Sequence, residues 1–103
     1  MKKATGIQLA RSLKKELLKQ GIPVRQLFLY GSVAKGKTHK WSDVDIAVIC
    51  DPFGSSRLEE NLACSTARWD IDLRIETVCL HPEDLKNGLS TLAHEVKKYG
   101  IAV

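Results

Sequence analysis

Two short apolar runs flanking a polar, glycine-bearing loop constrain this chain more than any other feature. Val24 to Tyr30 concentrates aliphatic and aromatic residues in the manner of a strand, and Val44 to Cys50 forms a second such run. The second run holds the longest unbroken apolar stretch, Ile46 to Cys50. That stretch is strand-sized and far below the roughly 20 residues that cross a bilayer, so no membrane span is expected. Ahead of the pair, Ile7, Leu9, Ala10, Leu13, Leu17 and Leu18 fall within one half of a helical wheel, with Arg11, Ser12, Lys15, Glu16 and Lys19 in the other. This predicts an amphipathic helix over Thr5 to Gln20, stopped by Gly21 and Pro23.

Beyond the second run, Asp51-Pro52-Phe53-Gly54 reads as a turn, and Ser55 or Ser56 caps a helix from Arg57 to Ala67. Glu59 and Glu60 sit in its first turn, where the helix dipole favours negative charge. Ile71, Leu73, Ile75 and Thr77 alternate with Asp70, Asp72, Arg74 and Glu76, the period of a third strand with one face buried. Pro82 to Leu85 reads as a short helical turn, and Leu89, Leu92, Val96 and Tyr99 mark a last helix ended by Gly100. The element order predicts an α/β (α+β) chain with helices packed on a small sheet. The final Ile101-Ala102-Val103 is apolar enough either to cover the core or to contribute to a self-association surface, so a homo-oligomer is a possible outcome.

The 103 residues suffice for a single domain, 1–103, and 44% hydrophobic with 27% charged content excludes disordered, collagen-like and coiled-coil classes. The basic N-terminus is followed by Arg11, Lys14 and Lys15 where an export signal needs an apolar stretch, which points to the cytoplasm. Cys50, Cys64 and Cys79 are odd in number, lack zinc-ligand spacing and read as buried thiols of a reducing compartment. A net charge of +4 suits polyanionic ligands such as nucleotides or nucleic acid, or simply a soluble surface.

Chemistry concentrates between residues 29 and 48. Gly31-Ser32 at a strand end opens backbone N–H groups toward a following helical turn, a cradle for phosphate oxygens to which Ser32 adds a hydroxyl. Asp43 and Asp45 lie two apart at the start of the next strand, so both carboxylates share a face, their Cα atoms roughly 6.5 to 7 Å apart. Two carboxylates converging to about 4 Å would repel by roughly 4 kcal/mol at an effective dielectric near 20, and they face a phosphate cradle. A hard divalent ion, magnesium, is the natural bridge. A third carboxylate is expected from Asp70, Asp72 or Glu76 on the third strand, and Asp72, centred between Ile71 and Leu73, is chosen. Lys35, Lys37 and Lys40 are either triphosphate ligands or a solvated basic loop; Trp41 either stacks on a base or wedges the loop. His39, His81 and His94 lack metal-ligand spacing and receive no role.

With Gly31-Ser32, Gly36, Ser42-Asp43-Val44-Asp45-Ile46 and Ile71-Asp72-Leu73 in place, the sequence resembles the minimal nucleotidyltransferases of the DNA polymerase beta superfamily, over nearly the whole chain in element order. The resemblance implies a small mixed sheet of three or four strands flanked by helices. It implies two magnesium ions on Asp43, Asp45 and Asp72, with the third acid assisting deprotonation of an acceptor hydroxyl. Nucleotide phosphates would be held by Gly31, Ser32, Lys35, Gly36 and Ser42. The reaction implied is attack of a hydroxyl on the α-phosphate of a nucleoside triphosphate, ATP by resemblance, with loss of pyrophosphate. Members of this family often accompany a helical HEPN-type toxin, so the expected activity is AMP transfer onto a partner protein by an antitoxin. A non-catalytic binding antitoxin, or transfer to RNA or a small molecule, are the alternatives.

Overall fold

In the computed structural model, which describes residues 2–36, 43–87 and 90–103, the first helix α1 (Lys3–Lys19) turns Ala10, Leu13 and Leu17 inward. It starts two residues earlier than expected and ends where Gly21 takes φ +81, a left-handed conformation that costs glycine little. Strand β1 (Val24–Tyr30) follows, then the single-turn helix α2 (Gly31–Ala34) and strand β2 (Val44–Cys50). Helix α3 (Arg57–Ala67) is capped by Ser56, whose hydroxyl accepts the Glu59 N–H at 3.1 Å. A 3-10 turn at Arg68–Asp70 leads to strand β3 (Ile75–Leu80), helix α4 (Pro82–Asn87), helix α5 (Thr91–Tyr99) and strand β4 (Ile101–Ala102).

The four strands form a mixed sheet in the order β3-β2-β1-β4. β1 runs antiparallel to both β2 and β4, while β2 and β3 are parallel, the pairing that the long connection through α3 permits. Alternation along β2 sends Val44, Ile46, Val48 and Cys50 to one core with Leu27, Leu29, Ile75 and Cys79, under α1 and α3. It sends Ala47 and Ile49 to a second core with Phe28, Tyr30 and Val78, under Leu85, Leu92 and Val96 of α4 and α5. A central strand covered on both faces explains why its sequence is nearly continuous in apolar residues. The terminal Ile101 packs against the first core, and β4 pairs with Phe28 and Leu29 of β1. Among the described residues no helix is long and apolar enough to cross a membrane.

The third strand differs from its expected position: it begins at Ile75, not Ile71. Residues ahead of it are wound into a turn in which the N–H groups of Ile71 and Asp72 donate to the Arg68 carbonyl and the Ile75 N–H donates to the Asp72 carbonyl. Asp72 also accepts the Arg74 backbone N–H at 2.9 Å, a local side-chain bond that competes with strand geometry. Leu73, read as inward-facing, is 69% exposed.

Candidate active site

Because side chains alternate and β2 pairs with both neighbours, three residues form one row across the sheet. Tyr30 of β1 is opposite Asp45 of β2, and Asp45 is opposite Glu76 of β3. All three project to the face covered by α5, since their neighbours Ala47 and Val78 lie in that core. Asp43 stands two residues before Asp45, exposed at the mouth of the strand.

Gly31 follows β1 directly and opens α2 with φ +73. A Cβ at this position would collide with Oδ2 of Asp45, so the glycine lets backbone and carboxylate approach closely. Ser32 stands beside it in the first turn of α2, where N–H groups have no intrahelical partner. Lys35 and Gly36 close the turn, with Gly36 at φ +73. Ser42, together with Lys37, His39, Lys40 and Trp41, lies outside the described residues.

Among the described residues, the charged groups that act most on Asp45 are all acidic. Half-burial, followed by the neighbouring Glu76, Asp43 and Glu95, pushes Asp45 up to about 6. Burial, then Asp45, Glu95 and Glu76, pushes the Tyr30 phenol up to about 12. The Lys35 amine stands 3.2 Å from Oε1 of Glu95 and 4.8 Å from the centre of the Tyr99 ring, both on α5. Asp72 precedes β3 and has no place in that strand's pairing with β2. Its carboxylate is gripped by Arg74 through Nε at 3.0 Å and Nη2 at 2.7 Å, and the same guanidinium holds Asp72 below the usual carboxylate range. The acid that strand register brings beside Asp45 is therefore Glu76, four residues further on. Glu95 also borders the site, from a helix that no sequence signal linked to it.

Asp43, Asp45 and Glu76 supply hard oxygen donors only, and Asp45 is raised by burial and then by like-charge neighbours, both of which a bound cation offsets. This donor set fits magnesium. Among the described residues no three His, Cys, Asp or Glu side chains are already drawn together at ligating distance.

The family described as polymerase beta, nucleotidyltransferase matches residues 12–103, which include the Gly31-Ser32 cradle and the whole acidic row. The chain belongs to this nucleotidyltransferase family. A Haemophilus influenzae relative named Probable protein adenylyltransferase MntA is 35% identical over 66 residues, 60% of this chain and 58% of that protein. The chain thus matches under two thirds of that relative's length. The fold agrees with a crystal structure of a candidate nucleotidyltransferase from Sulfolobus solfataricus, with a TM-score of 0.70 over 97% of this chain and 80% of that one at 16% identity. A toxin-antitoxin crystal structure with AMP-PNP superposes with a TM-score of 0.58 at 26% identity, covering 88% of this chain and 69% of its own. A mutant MntA-HpeT toxin-antitoxin structure superposes with 0.56 at 24% identity, covering 90% and 70%.

Proposed function

We propose that this nucleotidyltransferase family member moves a nucleoside monophosphate, AMP from ATP, onto a hydroxyl of a partner protein, and that it serves in the cytoplasm as the antitoxin of a HEPN-type toxin. The observation that carries the catalytic part is the register of Asp45 and Glu76 beside Gly31, which sets an acidic row against a backbone cradle. The partner and nucleotide follow from the relatives: one is named for protein adenylylation, and one toxin-antitoxin structure is described with AMP-PNP.

In this reading Gly31 and Ser32 take the phosphates through backbone N–H groups and the Ser32 hydroxyl, with Lys35, Gly36 and Ser42 completing the loop side. Asp43, Asp45 and Glu76 would hold two magnesium ions, Glu76 taking the third position rather than Asp72. Bound there, magnesium would neutralise developing phosphate charge and make the acceptor hydroxyl more acidic. Glu76, exposed at the end of the row, would accept the hydroxyl proton as the hydroxyl oxygen attacks the α-phosphate and pyrophosphate leaves. Lys35 can exchange its part-exposed Glu95 contact, worth at most about 1 kcal/mol, for a phosphate.

The test is transfer of radiolabel from α-labelled ATP, with magnesium, to the protein encoded beside this chain and, separately, to RNA. Label is expected on the protein, lost in Asp45→Asn and Glu76→Gln and retained in Asp72→Asn. Absence of label on any protein acceptor, or label on RNA alone, overturns the protein-transfer reading. Full activity in Glu76→Gln with none in Asp72→Asn would return the third position to Asp72.

A further inference from the structure

Helix α3 has two faces of opposite character. Glu60, Cys64 and Ala67 are buried against the sheet. On the other side Leu58 is 71% exposed, Leu62 55% and Trp69, in the 3-10 turn that continues the helix, 68%. With Ser65 these positions are spaced four, three and four residues apart, the interval that keeps side chains on one narrow stripe. Large apolar residues at this spacing form a seam for another helix rather than a scatter of surface leucines.

The stripe is complementary to its own reverse. Turning α3 end for end about the point between Ala63 and Cys64 exchanges position 58 with 69 and 62 with 65. An antiparallel pair of α3 helices would therefore set Leu62 of each copy over the small Ser65 of the other, and Leu58 against Trp69. Each end of the stripe carries one charge of each sign, Arg57 with Glu59 and Arg68 with Asp70, so reversal brings no block of like charge together. Antiparallel helix dipoles also attract. With Leu73, 69% exposed just beyond the turn, the apolar surface is on the order of 400 Å² per copy. That is about 800 Å² for a pair before any polar rim, approaching the roughly 1,200 Å² at which stable interfaces begin. The acidic row lies on the opposite face of the sheet, under α5, so pairing through α3 leaves both sites open.

We infer that the outer face of α3 is the two-fold interface of a homodimer of this chain, with Leu62 packed over Ser65 of the second copy at its centre. The inference is independent of which acceptor the chain modifies. Sedimentation velocity of the full chain from 1 to about 200 μM, in the range expected for a modest interface, reads it directly. A concentration-dependent dimer is expected, weakened at least about tenfold in Leu62→Lys, which puts two like charges at the axis. Lys97→Glu on the outer face of α5 should leave the dimer intact, and circular dichroism confirms that each variant is folded. Should Leu62→Lys fail to fold, Leu58→Lys reads the edge of the same seam. A wild-type monomer throughout, a dimer indifferent to both lysine variants, or a stripe whose mutation disrupts only a complex with a different protein would each overturn the inference.

Discussion

Replacing Asp45 by Asn should stabilise the metal-free protein while abolishing its activity. Asp45 is ionised at neutral pH although burial and three neighbouring acids raise it from 3.8 to about 6. That difference corresponds to about 3 kcal/mol for a fully sheltered group. Asp45 is only half-buried, and solvent screening brings the effect to about 1–2 kcal/mol. At roughly 4–8 °C per kcal/mol in a domain of this size, Asp45→Asn should melt about 4–16 °C higher at pH 7 in a chelator. The sign follows from the raised folded pKa: wild type is least penalised below pH 3.8 and loses stability as pH rises through 6. The gap between variant and wild type should therefore be small near pH 4 and widen to its full size by pH 7. Thermal melts by circular dichroism across that range provide the assay, and magnesium should narrow the gap by stabilising wild type alone. A variant that melts lower than wild type at pH 7, or a gap of equal size at pH 4 and pH 7, would refute the reasoning.

Gly31→Ala should be costly twice over, because a side chain at φ +73 loses about 1–2 kcal/mol and its Cβ would displace the Asp45 carboxylate. A melting midpoint lower by at least about 5 °C, together with lost label transfer, is expected. Glu60 is buried and accepts N–H bonds from Phe53 at 2.7 Å and Gly54 at 3.3 Å, with His81 Nε2 at 2.8 Å, contacts that hold it below its ordinary pKa. Its contribution is present above pH 4.5 and is lost as pH falls below that, so Glu60→Gln should flatten the acid limb of a stability profile measured by urea titration. The thiols of Cys50, raised by burial, and Cys79, raised by its contact with Cys64 and by burial, should ignore a thiol reagent in the folded protein. All three cysteines should react once guanidinium unfolds the chain, as read by absorbance of the released chromophore.

Most of the architecture was legible because it rests on strong local signals. The period of α1, the Ser56 cap of α3 and the apolar density of β2 each match the structure, and Gly31-Ser32 falls directly after β1 with the glycine at φ +73. The third strand was misplaced because its alternation runs unbroken in sequence from Ile71 to Thr77, whereas the Asp72 turn interrupts it in space. Alternation alone cannot register a local hydrogen bond that outcompetes the ladder. That displacement leaves Glu76, already among the candidates, as the acid of β3 in register with Asp45. The contributions of Glu95 and β4 arise from packing across about 50 and 70 residues of chain, to Asp45 and to Phe28, and nothing local announces them.

Because β2 and β3 run parallel, the segment from Asp51 to Arg74 leaves from one end of the paired strands and returns at the other, and the two acids of the row are set side by side by strand register. The excursion contributes Cys64 and Ala67 of α3 to the first core and ties to β3 through Asn61, whose Oδ1 accepts the Cys79 N–H at 2.9 Å. Cutting the chain within the Gly54 to Ser56 bend would yield two pieces, each bearing half of the acidic row. Their reassembly would be a direct measure of how far lateral strand association, and not chain continuity, assembles the acidic row.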